Sequence, residues 1–320
     1  IINQAIDDVL DSGRYIGGLQ VEAFEKEWAE YCHAKHCVAV GNGHDALMLA
    51  CWYFKERSQW ITDIYTPWKT CLPTWSAVRN SGCVPTPILD KDVDVVITVH
   101  IYGQISFPGE ESYNKPIIED CAQAHGASYC GMRAGRFGDV GCWSFYPTKN
   151  LGALGDAGAI TTDDVDIADF VRSRRSYGTR SDMGVNSRMD AVQAAILRAK
   201  LPYLKTYNAM RAENAQTYLD TICRDSFVKL PIVDDEEDSP CWHQFAIETE
   251  NRDSLRKWLA EHGIETMVHY PEPPYDAGWH IASAEYWCAT TLSLPVAPHV
   301  RPNECQRIGE LVNEWIHLPR

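Results

Sequence analysis

Val21, Phe24, Trp28 and Tyr31 recur at three- and four-residue intervals, the spacing that lines up one face of a helix. The apolar run at 37–40 then reads as a short buried strand ending in glycines, and a helix over 45–53 follows. The succession repeats with a strand at 60–65, a helix at 74–80 and strands at 93–101 and 115–119, the last followed by a further helix-capable stretch. Short apolar strands alternating with helices predict a mostly parallel sheet covered on both faces. Residues 187–219 keep a helical period without a glycine, and Pro202 should kink or break that helix. Beyond it, strands at 227–230, 242–247 and 265–268 and helices at 253–261, 284–291 and 304–315 predict a smaller α+β unit. The expected division is a large α/β domain over 1–205 and a small C-terminal domain over 206–320. The acidic run at 234–238 reads as a solvated loop.

Composition narrows the function classes. In 320 residues, 45% are hydrophobic and 23% charged, the balance of an ordinary globular protein. Acidic residues outnumber basic ones 44 to 29, a net charge of −15, and such a surface repels nucleic acid and anionic membranes. A small anion is still accommodated if helix N-termini and a few local Arg or Lys hold it. The 12 cysteines have no framework spacing and sit mostly in apolar runs, which predicts reduced thiols. No apolar stretch nears the ~20 residues that span a bilayer, and no signal peptide opens the chain, so a cytoplasmic protein is expected. Cys32, His33, His36 and Cys37 lack a second pair in zinc-site spacing, and no metal is expected.

Gly41-Asn42-Gly43-His44-Asp45-Ala46 follows a strand, opens a helix and fits G-x-G-x-x-G/A, with Asp63 about 20 residues further on as in dinucleotide sites. The same turn serves any phosphorylated cofactor, and also a tight connection with no ligand. The informative stretches are Ile117-Ile118-Glu119-Asp120-Cys121-Ala122-Gln123-Ala124-His125-Gly126 and Ser144-Phe145-Tyr146-Pro147-Thr148-Lys149-Asn150-Leu151-Gly152. Asp120 falls where a buried strand ends, and a carboxylate there keeps a ring nitrogen protonated. Lys149 lies in a glycine-bounded loop, where desolvation makes an amine neutral and nucleophilic. A carboxylate for a pyridinium and a lysine for an aldehyde are what pyridoxal phosphate requires.

With these residues the chain resembles the sugar-nucleotide aminotransferases of the DegT/DnrJ/EryC1/StrS family, fold-type I pyridoxal phosphate enzymes of amino-sugar biosynthesis. The resemblance runs from Asp11-Ser12-Gly13 to about Trp315 through the glycine turn, Tyr102-Gly103-Gln104, the Asp120 and Lys149 segments, Asn186-Ser187-Arg188-Met189-Asp190 and His269-Tyr270-Pro271. It implies an aspartate-aminotransferase-like fold, with Lys149 bonded to the cofactor, Asp120 at the ring nitrogen and Gln123 near the ring hydroxyl. Ser144, Gly43 and the amides of His44 and Asp45 would hold the phosphate. Asn186 would reach the partner subunit's phosphate in a homodimer with shared sites, while Tyr15, His269 and Tyr270 would face the sugar. It implies L-glutamate as donor and a nucleoside-diphosphate keto-deoxysugar as acceptor. Asn42 beside Gly43, Trp75 after Thr74 and Leu292-Ser293-Leu294-Pro295 favour a 3-keto over a 4-keto sugar. His44 replaces the usual hydroxyl residue, and Cys71 stands where the family stacks an aromatic ring on the cofactor, a face Trp68 or Trp75 could supply instead. The loops after Leu89 and Tyr275 are shorter than is usual. A nicotinamide-dependent dehydrogenase or epimerase is the alternative enzyme, but Tyr146 and Lys149 are three residues apart across a proline rather than four apart on a helix. A non-catalytic relative is the other alternative, which the presence of Lys149 disfavours.

Overall fold

The computed structural model describes the chain except residues 58–62, 90–91, 113, 225–226, 234–236, 276–278 and 319–320. One sheet holds seven strands in the order His36–Val40, Gly158–Thr162, Val140–Ser144, Ile117–Asp120, Val95–Val99, Asp63–Tyr65, Val84–Thr86. Gly158–Thr162 runs antiparallel to both its neighbours and the other six strands run the same way. Alternation along each strand divides the core in two. Val38, Val40, Ile118, Val140 and Cys142 pack on one side against the helices Gly43–Arg57, Leu72–Asn80 and Val165–Arg174. Cys37, Ala39, Trp143 and Ala159 pack on the other against Phe24 and Trp28 of helix Leu19–Cys32 and against Ala194 and Leu197 of helix Ala191–Lys200.

A third apolar cluster draws only on the chain from Ala215 to Ile316 and surrounds the antiparallel pair Phe245–Glu248 and Thr291–Leu294. The helical stretch around Pro202 is broken there as expected, into Ala191–Lys200, a 3-10 turn Leu201–Tyr203 and Leu204–Thr221. Two expected strands shrink to the single bridges Lys229↔Glu248 and Met267↔Ser293. The expected strand at 60–65 begins outside the described residues and is seen as Asp63–Tyr65, and most of the acidic run at 234–238 also lies outside them. After Asp120 the chain makes turns rather than the expected helix: the Asp120 carboxylate accepts the amide of Ala122 at 3.1 Å, and Gly126 takes a φ of +92°.

Adjacent carboxylates at the end of Ile117–Asp120 point to opposite faces. Glu119 is fully buried and accepts the amides of Gly135 (2.7 Å), Phe137 (2.7 Å) and Gly138 (2.6 Å) and Nε2 of His100 (2.8 Å). His100 donates from Nε2 because its Nδ1 accepts the Ser106 amide at 3.1 Å. Together with Cys121 these two side chains are the only metal-like grouping among the described residues, and their hydrogen bonds occupy them fully. Glu119→Ala strands four donors, those of Gly135 and His100 buried and those of Phe137 and Gly138 part-buried, so an unfolding free energy lower by about 3–5 kcal/mol is expected in a urea titration. A loss below about 1 kcal/mol would show that Glu119 does not brace the turn at 135–138.

Candidate active site

The strands Val95–Val99, Ile117–Asp120 and Val140–Ser144 end at one edge of the sheet, and the side chains of chemical interest collect there. Asp120 is buried and accepts Thr74 Oγ1 at 2.8 Å, while Thr74 Oγ1 lies 2.8 Å from Thr70 Oγ1. Burial pushes the Asp120 carboxyl up, with Thr74, the Ala122 amide and Lys149 opposing in part. Lys149 lies in the loop after Val140–Ser144, its amide donating to the Tyr146 carbonyl at 2.9 Å. Burial pushes the Lys149 amine down, opposed by Cys71 and Asp120. Cys71, Asp120, Gln123, Lys149 and Tyr270 line one small cavity, and Gln123, Lys149 and Tyr270 also line the adjoining cleft of about 890 Å³.

Gln123 bridges two elements: its Oε1 accepts the Tyr102 amide at 2.7 Å and its Nε2 donates to the Tyr270 hydroxyl at 2.6 Å. His269 places Nδ1 3.0 Å from Ser293 Oγ on the cleft wall, and burial lowers its pKa to about 4, so it is neutral near pH 7. The thiol of Cys71, raised by burial and then by Asp120, faces the cavity where an aromatic ring was expected. Neither tryptophan replaces that ring. Trp75 is core, its Nε1 donating to the Pro67 carbonyl at 3.0 Å, and Trp68 packs on Trp287 with ring centroids 6.1 Å apart.

The glycine turn abuts the same strand ends. A Cβ on Gly43 would lie 2.5 Å from Cβ of Ser144, so only glycine lets the start of helix Gly43–Arg57 come this close. The Asp45 amide, an expected phosphate contact, donates here to Asn42 Oδ1 at 2.8 Å. The Asp45 carboxylate accepts from Asn42 Nδ2 at 3.1 Å and lies 3.1 Å from His44 Nδ1. Asp63 starts its strand rather than ending it, so it lies at the opposite edge of the parallel sheet from the turn. That placement removes the dinucleotide reading, which needs the acid at the ligand's edge.

Tyr15 and Asn186 stand apart from this cluster. Tyr15 is exposed and its carbonyl accepts the Ala191 amide at 2.8 Å. Asn186 is exposed at the end of Met183–Asn186, with Oδ1 accepting Arg188 Nε at 3.2 Å. The structure adds residues that no local motif announces. Asn150 Nδ2 donates to Asn208 Oδ1 (2.9 Å) and the Cys241 carbonyl (2.8 Å), so its Oδ1 is the acceptor facing His243 Nδ1 at 3.0 Å. The proton of neutral His243 is thus fixed on Nδ1, on a ring that lines the cleft. Arg211 lines it too. Thr74, three residues beyond Cys71, was legible only as part of the motif around it. Because burial disfavours the ammonium, competitive amine labelling against pH should show Lys149 titrating below the exposed lysines; a midpoint at or above theirs would contradict a buried amine.

Comparison with known proteins agrees with this geometry. The profile of the DegT/DnrJ/EryC1/StrS aminotransferase family matches residues 1–95 and 88–313, two pieces that meet at the loop after Leu89. A dTDP-3-amino-3,4,6-trideoxy-alpha-D-glucose transaminase of Streptomyces venezuelae is 37% identical over 97% of this chain and 91% of its own. A dTDP-3-amino-3,6-dideoxy-alpha-D-galactopyranose transaminase of Aneurinibacillus thermoaerophilus is also 37% identical, over 98% of this chain and 95% of its own. The crystal structure of S. venezuelae DesV in complex with ketimine intermediate superposes with a TM-score of 0.91 at 35% identity, covering 100% of this chain and 95% of that one. The sheet is accordingly that of the fold-type I aminotransferases. With the family profile running nearly end to end and both relatives above one-third identity, the chain belongs to the DegT/DnrJ/EryC1/StrS aminotransferase family.

Proposed function

We propose that this protein is a pyridoxal phosphate-dependent aminotransferase that moves the amino group of L-glutamate to C3 of a nucleoside-diphosphate 3-keto-deoxysugar. The observation that carries the reading is the meeting of Asp120 and Lys149 in one buried cavity, where desolvation favours the neutral amine and Thr74 and the Ala122 amide donate to the carboxylate. The named activities of the 37% identical relatives, both on 3-amino sugars of dTDP, support the acceptor class.

The residues fit the cofactor. A buried carboxylate and a buried amine face one cavity, and the turn where a Gly43 Cβ would collide with Ser144 leaves backbone and hydroxyl available to a phosphate. When bound, pyridoxal phosphate supplies an aldehyde that takes up the amino group and a ring that accepts the electrons released from the donor's Cα. Lys149 Nζ would hold that aldehyde carbon and, once displaced, carry the proton from the donor's Cα. Its depressed pKa supports this role, since an ammonium accepts no proton. Asp120 would keep a proton on the ring nitrogen, and Thr74 holds the carboxylate in place for it. Gln123, Ser144, Gly43 and His44 are the further cofactor contacts in this reading, and Cys71 the residue at the ring face. His269 and Tyr270 are placed on the cleft wall to meet the sugar.

A homodimer with shared sites belongs to the same proposal: Tyr177 and Met183 are exposed on the hairpin that ends in Asn186, a surface suited to a second copy. So do the division near residue 205 and a cytoplasmic setting, the latter supported by twelve free cysteines. No helix among the described residues is long and apolar enough to cross a membrane.

The test is to supply the loaded protein with L-glutamate and a panel of 3-keto and 4-keto sugar nucleotides and identify the products by mass spectrometry. Amination of a 3-keto acceptor is expected. Lys149→Ala should cut turnover by at least about 10³-fold with an unchanged circular dichroism spectrum, because one amine serves as both anchor and proton carrier. Amination of 4-keto acceptors alone, or full turnover by Lys149→Ala, would contradict the reading.

A further inference from the structure

Arg211, on the helix Leu204–Thr221, is only 8% exposed and lines the same cleft as Lys149. Its Nη1 donates to the carbonyls of Trp242 and His243, each at 3.2 Å, while its Nε is buried without a partner. Among the described residues no carboxylate pairs with it, and burial lowers its pKa with only the Cys241 thiol opposing. The acids that line the same cleft, Glu265 and Glu304, are exposed, and Glu304 accepts the Arg301 amide at 2.8 Å. A buried cation without a counter-ion is costly, and an anion brought by a ligand would offset that cost.

The support of Arg211 is tied to Lys149. Asn150, the next residue in the chain, bonds the Cys241 carbonyl and the His243 ring, and the carbonyls of Trp242 and His243 hold the guanidinium. The segment 241–243 thus fixes Arg211 relative to the amine. We infer that Arg211 receives the α-carboxylate of the amino-acid donor, an assignment that rests on the transaminase reading above. In an amino acid the carboxylate is bonded to the carbon that gives up nitrogen, so it must lie deep in the site beside Lys149. The diphosphate of a sugar nucleotide is attached at C1, two carbons along the ring from a reacting C3, and so is held further from the transferred nitrogen than a carboxylate bonded to the reacting carbon itself. Arg307, the other arginine lining the cleft, is exposed and reaches the His262 carbonyl at 3.5 Å. With Nη1 occupied, the Nε–Nη2 edge of Arg211 is the one that matches a planar carboxylate.

Two measurements test the assignment on the pyridoxal phosphate-loaded protein. In calorimetry with glutarate, an unreactive dicarboxylate, Arg211→Gln should weaken binding at least about tenfold relative to wild type. In separated half-reactions followed by cofactor absorbance, Arg211→Gln should raise the L-glutamate KM at least about tenfold and leave the acceptor half-reaction, run from the pyridoxamine phosphate form with the keto-sugar nucleotide, within about twofold. Arg211→Lys keeps the charge and loses the fork, and should raise the glutamate KM severalfold, which keeps the test open if the Gln variant does not fold. Equal losses in both half-reactions would mark Arg211 as structural only and overturn the inference. An unchanged glutamate KM in either variant, or wild type that does not bind glutarate, would also overturn it. If glutamate leaves the wild-type spectrum unchanged while glutarate binding still depends on Arg211, the donor assignment fails and the carboxylate site stands.

Discussion

Desolvation of two opposite charges at one sheet edge is the constraint on which the rest of the molecule depends. Taken separately, a buried carboxylate and a buried amine each lose stability in the charged form. Asp120 and Lys149 sit where three parallel strands end, so the sheet core lies behind them and a cleft opens in front. Their neighbours are arranged to manage the cost. Thr74 and the Ala122 amide donate to Asp120, and the turns after it replace what would otherwise be a helix start. Period-two alternation then turns Glu119 toward the other layer, where it ties the 135–138 loop to His100.

Much of this arrangement was legible in the chain, and the reason is local. An apolar strand that ends in a carboxylate, and a lysine between glycines after another strand, are patterns that each lie within a few residues. The Gly43 turn was legible in the same way, since close approach demands glycine and the structure puts Ser144 against it. Its ligand was not, because G-x-G-x-x-A leaves phosphate class open; placing Asp63 at the start of its strand took the sheet. The turn after Asp120 was misread because Cys121, Ala122 and Ala124 are compatible with a helix, and the side-chain bond that diverts the backbone is invisible to composition. Similarly, nothing local tells that Asn42 takes the Asp45 amide or that Trp75 turns into the core.

Arg211 and His243 show the limit more plainly. They come from a helix and a loop far from Lys149 in sequence, and they reach the cleft only because Asn150 reaches across to segment 241–243. Cys71 is the converse case. Its position could be read from its neighbours, but whether Trp68 or Trp75 replaced the missing ring depended on packing, and Trp287 and Pro67 hold both elsewhere. At this position the cavity wall is therefore a thiol beside a threonine pair rather than an aromatic plate.

The central claim, that a buried carboxylate at the end of Ile117–Asp120 sets the chemistry of the site, is tested most directly by Asp120→Asn. The substitution keeps the size and the bond to Thr74 but removes the charge that holds a proton on a ring nitrogen. Rapid mixing of the loaded variant with L-glutamate, followed by cofactor absorbance, reads the half-reaction alone. The cofactor is expected still to bind and the half-reaction to slow at least about a hundredfold, since each ~1.4 kcal/mol of lost transition-state stabilisation is tenfold in rate. A wild-type rate in the variant would contradict the claim.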